Sequence, residues 1–159
     1  MVTRSNLLYS ASALRRMWGL MYRRLHEIQV REWWSVVWVW VPGYRPRFMA
    51  KAEFKRHFVE WRRQAARALR VVPWSDPATG RFTVHNCDKQ SSYVVEVSDT
   101  AVACTCDDYG NQLSAWGKGC CKHGYAVLGH LGFSSLSEYL GLCQQRLQFL
   151  AQHQRAAVA

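Results

Sequence analysis

The first 86 residues contain no cysteine, and the first 70 contain only four acidic residues. Proline is scarce, with four in 159 residues, and no long apolar run exists. The longest, Trp33 to Val41, is nine residues interrupted by Ser35, far short of the roughly 20 needed to span a bilayer as a helix. No Gly-rich phosphate cradle, nucleophile elbow or Walker signature occurs, and no internal repeat is visible. These absences exclude a membrane bundle, a nucleotide-hydrolysing P-loop enzyme and a disulfide framework spread over the whole chain.

What is present is unevenly placed. From Met1 to Arg70 there are 15 Lys and Arg against four Glu, a balance of +11, whereas from Val71 to Ala159 six cations face seven acids. A chain with 49% apolar residues and eight Trp, seven Tyr and six Phe is no disordered polycation and should bury a core. The charge step divides it into a basic, aromatic region over 1–72 and a second domain over 81–154, followed by a frayed tail over 155–159. Val72 to Gly80, with Pro73, Pro77 and Gly80, carries the turn chemistry of a boundary.

The basic region reads as a helical arm. Leu7, Ala11, Leu14, Trp18, Tyr22, Leu25 and Ile28 step by four and three, which predicts one helix over Asn6 to Ile28 with Ser5 as its cap. Trp33 to Val41 is either a buried strand joined to the second domain's sheet, an aromatic continuation of the helix, or a partner surface. Pro46 suits the start of a second helix, on which Phe54, Phe58, Trp61, Ala65, Ala68 and Leu69 fall within one arc. Lys55 belongs to the same cationic helix, and Arg56, Arg63, Arg67 and Arg70 fall opposite the arc. That ridge is either a solvated back or a phosphate-binding surface, and its one-sided charge favours the latter. Arg richness without acid over Met1 to His26 also leaves open an organellar leader, beside the simpler expectation of a cytoplasmic protein, nucleoid-associated if bacterial.

In the second domain Arg81 to His85, Tyr93 to Val97 and Thr100 to Thr105 predict three strands, the last two joined by a tight turn at Ser98, Asp99 and Thr100. Asp107 to Gly119 reads as loop, Cys120 to Leu131 as helix, and Ser135 with Glu138 as the capping box of a last helix to about His153. All six cysteines lie here, at 87, 104, 106, 120, 121 and 143. Cys104-x-Cys106 and Cys121-x-His123 supply four soft or borderline donors in two close pairs, the donor set of one closed tetrahedral zinc site. Residues i and i+2 of a strand share a face, so Cys104 and Cys106 can address one ion while Thr105 points away. Cys120 is an alternative third ligand, His130 lies two helical turns beyond His123, and Cys87 and Cys143 read as packed thiols. Three thiolates and an imidazole fill a shell that suppresses Lewis acidity, so a structural ion and no catalysis are expected. Asp107, Asp108 and His85 are the only imaginable acid/base set.

Over residues 93–131, a quarter of the chain, this segment resembles the SWIM-type zinc finger: an aliphatic hairpin, Cys104-Thr105-Cys106-Asp107-Asp108-Tyr109, then Cys121-Lys122-His123 and an apolar helix. Asp108, Tyr109 and Lys122 also match the family pattern. The resemblance implies an α+β fold, a ββα zinc unit carrying a C-terminal helix beside the helical arm. It also implies binding of DNA or of proteins within larger nucleic-acid-processing complexes. The combined expectation is a non-catalytic nucleic-acid-binding module, DNA or RNA, with phosphate contacts from the basic helix and with Lys118 and Lys122 near the contact surface. No membrane and no small-molecule substrate are expected. A protein-interaction adaptor using Trp18, Trp33, Trp34, Trp38 and Trp40 is the competing expectation.

Overall fold

The computed structural model describes residues 3–20 and 27–156, without the side chains of 154–156. It is an α+β protein with helices and two small antiparallel sheets.

The first helical stretch is broken where capping residues compete with it. α1 (Arg4–Leu8) is capped by Thr3, whose hydroxyl accepts from Asn6 N, and α2 (Ala11–Met17) by Ser10, which accepts from Ala13 N. Ser5, expected as the cap, instead donates to Glu32 at 2.7 Å. α2 stops because Gly19 takes φ +66°, so that Gly19 N reaches Arg16 O and Leu20 N reaches Arg15 O. This paired closure of the last turn needs a left-handed residue. Of the predicted helix over 6–28, Tyr22 and Leu25 lie outside the described residues.

The basic region is not a helical arm. β1 (Gln29–Glu32), β2 (Val36–Trp40) and β3 (Arg47–Ala50) form a three-stranded antiparallel meander of their own. Trp33 to Val41 thus supplies the central strand of this sheet and makes no pairing with the second one. Alternation sends Val37 and Val39 inward, fully buried with Val41, Leu14, Tyr9 and Phe54, and leaves Trp38 and Trp40 half-buried on the other face. Trp34 is 98% exposed, and Trp33 and Phe48 are also open and meet edge to face at 5.9 Å.

Helix α3 (Lys51–Ala66) follows β3 directly. Pro46 stands before the strand rather than at the helix start, and the helix is closed at its head by Glu53, whose carboxylate accepts from Ala50 N. Phe54 enters the first core and Ala66 the second, so one helix serves both. Trp61, placed in the apolar arc by periodicity, is partly exposed beneath the Arg16 guanidinium, 4.6 Å from its ring centroid.

The chain then enters the second sheet earlier than its composition suggests. β4 (Arg70–Pro73) pairs with β5 (Arg81–Asn86), which pairs with β6 (Ser91–Val97), which pairs with β7 (Val102–Cys104). Arg70 therefore stands on a strand, opposite His85, and not on the helical ridge. α4 (Asp107–Trp116) replaces the expected loop, α5 (Lys122–His130) packs against all four strands and against α3, and α6 (Leu136–Ala156) closes the chain. At the head of α6, Glu138 accepts from Ser134 N while Ser135 accepts from Glu138 N, close to the predicted capping box. Residues 157–159 of the expected frayed tail are outside the described residues.

Candidate metal centre

Each of the four predicted ligands is placed by its local backbone, at a strand end or a helix start. Cys104 ends β7, held beside Val95 of β6. Two residues on, Cys106 is the N-cap of α4, its sulfur accepting from Tyr109 N at 3.4 Å. Cys121 is the N-cap of α5, its sulfur accepting from Gly124 N at 3.5 Å, and His123 lies in the first turn of that helix. Thr105 faces solvent between the first pair and exchanges hydrogen bonds with the Val94 backbone. Two helix N-termini and their amides thus point at sulfur, which favours negative charge there.

The four donor atoms lie within 4.8 Å of one another and are buried or nearly so. His123 Nδ1 is 3.6 Å from Cys104 Sγ and 3.8 Å from Cys121 Sγ. A tetrahedral ion with Zn–S of about 2.3 Å and Zn–N of about 2.05 Å requires a sulfur to nitrogen separation of about 3.6 Å. The group can therefore hold a metal ion such as zinc. Tyr93 stacks on the imidazole at 4.4 Å and fixes the ring plane, and His123 Nε2 is buried with no hydrogen-bond partner among the described residues.

Electrostatics mark the same cluster. Three sulfurs this close cannot all ionise without a counter-charge. The Cys106 sulfur pushes the Cys104 thiol up to about 11, and Cys121 is raised by Cys104 and Cys106. Cys106 alone is pulled down, by hydrogen bonds from Cys104 and then Cys121. A divalent cation reverses this ordering by deprotonating every coordinating thiol.

Cys120 stands apart. Its thiol is raised to about 12 by burial, and it lies against the Cys121 carbonyl oxygen at 3.8 Å, so the cluster draws on its neighbour. His130 is exposed at the far end of α5 against Phe82, Cys143 is buried as expected, and Cys87 is exposed in the β5–β6 turn, contrary to its reading as a packed thiol.

Two positioning residues were invisible in the spacing. Gln112 of α4 is 2% exposed and clamps the Cys120 backbone from both ends of its amide, accepting from Cys120 N at 3.1 Å and donating to Cys120 O at 3.5 Å. Arg62 of α3 grips both oxygens of Asp108 at 2.6 and 2.9 Å, lies over the Phe58 ring, and so ties the basic helix to the head of α4. Asp108 is therefore engaged in an ion pair at that helix head. His85 of the imagined acid/base set bonds Ser92 on the neighbouring strand.

The expected cationic contacts come from several elements, and Lys118 lines one cleft with Lys55 and another with Arg63. Lys55, Arg56 and Arg63 are exposed on α3, Arg67 is exposed at its C-cap, and Arg70 is exposed at the start of β4. Lys118 is exposed after α4 and Lys122 is half-buried between the last two ligands. Among the described residues no helix is long and apolar enough to cross a membrane. Compared with protein-family models, with curated proteins and with solved structures, the chain finds no match.

Proposed function

We propose that this chain is a zinc-stabilised, non-catalytic nucleic-acid-binding module, with a SWIM-like zinc unit that stiffens the second domain and a basic helix that contacts phosphate. The observation that carries the reading is the cationic run itself. Lys55, Arg56, Arg63, Arg67 and Arg70 are all exposed, and none of them is in an ion pair among the described residues. The fifteen cations of the first 70 residues meet only four acids. Such a surface attracts a polyanion by counterion release. One ion held by Cys104, Cys106, Cys121 and His123 would supply folding free energy to a domain whose core includes the ligands themselves.

The test is binding to duplex DNA, single-stranded DNA and RNA across a salt titration. Phosphate binding gives a log-log slope of about −0.9 per neutralised phosphate on duplex, or about −0.7 on single strands. Replacing Arg56, Arg63 and Arg67 together by Glu should weaken binding across all sequences and flatten the slope, with the fold intact because all three are exposed. Unchanged binding in the folded triple variant refutes the reading.

A second reading, a protein-interaction adaptor, is favoured by one specific feature. Trp33 and Trp34 in the β1–β2 turn and Phe48 on β3 are 59%, 98% and 62% exposed, aromatic side chains of the kind that anchor interfaces. Partner binding there should respond only mildly to salt and should be lost in a Trp33→Ser, Trp34→Ser double variant. The two readings are compatible with an accessory subunit of a larger nucleic-acid-processing complex.

A further inference from the structure

A cleft of about 560 Å³ opens between the C-terminal turns of α3, the C-terminal end of α5 and the segment leading into α6. Its volume falls in the roughly 300–1,000 Å³ range of small-molecule sites. The rim carries Arg63 in the last turn of α3 and Arg67 at its C-cap, together with His130. The lining also carries Tyr125 and Phe133, both half-buried, and the small residues Ala66, Ala126 and Gly129.

Three features of this cleft ask for a ligand. Two guanidinium groups at i and i+4 repel each other, and no carboxylate forms an ion pair with either among the described residues. A flat ring stands beside one of them, the Arg63 guanidinium being 5.6 Å from the Tyr125 ring centroid, and Phe133, edge to face with Tyr139, lines the same cleft. Gly129 lies within a helix, where Gly is less stable than Ala by up to about 1 kcal/mol, yet a Cβ there would meet nothing within 4 Å. Packing does not require this glycine, and its position in the lining leaves the cleft open there.

We infer that this cleft is a nucleotide site, in which Arg63 and Arg67 hold a phosphate and Tyr125 and Phe133 flank an unstacked base. The inference rests on the nucleic-acid reading of the basic helix and narrows it. A base can enter only if it is free of its duplex, so the ligand is a free nucleotide or one nucleotide of a single strand.

The experiment uses the full chain, wild type and Gly129→Leu, with fluorescein-labelled oligothymidylate of 12 nucleotides, a 12-base-pair duplex, AMP and inorganic phosphate. Wild type should bind the single strand about ten-fold more tightly than the duplex at equal salt. Gly129→Leu places bulk in the cleft from a position where a Cβ meets nothing within 4 Å, and should lose that preference while keeping the duplex affinity and the metal content. Arg67→Gln, at an exposed position without an ion pair, gives a second route and should weaken single-strand binding about ten-fold. Displacement of the strand by AMP, lost in Gly129→Leu, supports a free nucleotide as ligand, whereas preference for the strand without AMP displacement supports a nucleotide within a chain. Phosphate displacing as well as AMP overturns the site, because the ring is then unread. Equal binding by wild type and Gly129→Leu overturns the cleft and leaves the cationic reading standing. Absence of binding to every probe removes both.

Discussion

Gly119 offers the sharpest test of how the metal centre is positioned. It precedes Cys120 and Cys121, and a Cβ built on it would stand 2.5 Å from Gln112 Cβ and 2.8 Å from Gln112 Oε1. Real side chains do not approach so closely, so Gly119→Ala must displace Gln112, which is 2% exposed and has little room to move. Forcing extra volume into a packed site costs about 1 to 3 kcal/mol. Displacement also breaks the clamp on Cys120, whose two hydrogen bonds are worth about 1 kcal/mol each. The expected loss is about 3 to 5 kcal/mol, a large part of a small domain's stability. Chemical denaturation of the metal-loaded protein reads it directly, and metal retention during dialysis against a weak chelator should fall with it. Gly110→Ala is the control, because it lies in α4 with nothing within 4 Å of its new Cβ and should be neutral or stabilising by up to about 1 kcal/mol. If Gly119→Ala is as stable as Gly110→Ala, the clamp does not position the ligands.

Elemental analysis should return about one zinc per chain, with Cys104→Ser and His123→Ala lowering it and melting the second core, and Cys120→Ser and Cys143→Ser leaving it in place. Val39→Ala, at a fully buried site in β2, should destabilise the chain by about 2 to 3 kcal/mol, more than the adjacent Trp38→Ala on the half-open face, as thermal unfolding will show. His57 accepts from Arg16 Nε at 3.3 Å, and burial and then the Arg16 charge hold its pKa below the usual histidine value. The unfolded chain therefore binds more protons there below about pH 6.5, so stability should rise with pH up to that point, and His57→Gln should remove this component of a pH-stability profile.

The four candidate donors were legible because a donor set that could hold a metal ion leaves a local imprint: two short-range pairs, one at a strand end and one at a helix start. The strands from Arg81 onward and helices α5 and α6 were legible for the same reason, through residue type and periodicity. α4 was not, since its cap is Cys106, a residue outside the usual capping set, and its first turn holds Asp107 and Asp108, which suit a turn equally well. β1 and β3 are four-residue edge strands with mostly exposed side chains, so they lack the alternation that betrays a strand. Gln112 and Arg62 act across 8 and 46 residues, distances at which spacing carries no signal.

Helix α3 has a consequence for the order in which the chain acquires structure. Phe54 and Ala66 lie about 18 Å apart along one helix, and they belong to different cores. Everything that Phe54 packs against precedes it in the chain, so the amino-terminal core can close as soon as α3 has been synthesised. Ala66 must wait for β5 to α5, some sixty residues later, or roughly 3 to 12 seconds at ordinary elongation rates. During that interval the carboxy-terminal half of the helix, with its guanidinium groups, protrudes from a finished core without its own. The apolar flank around Ala66 is then uncovered, and that vulnerability ends when Cys121 and His123 clear the ribosome and α5 seats against the helix.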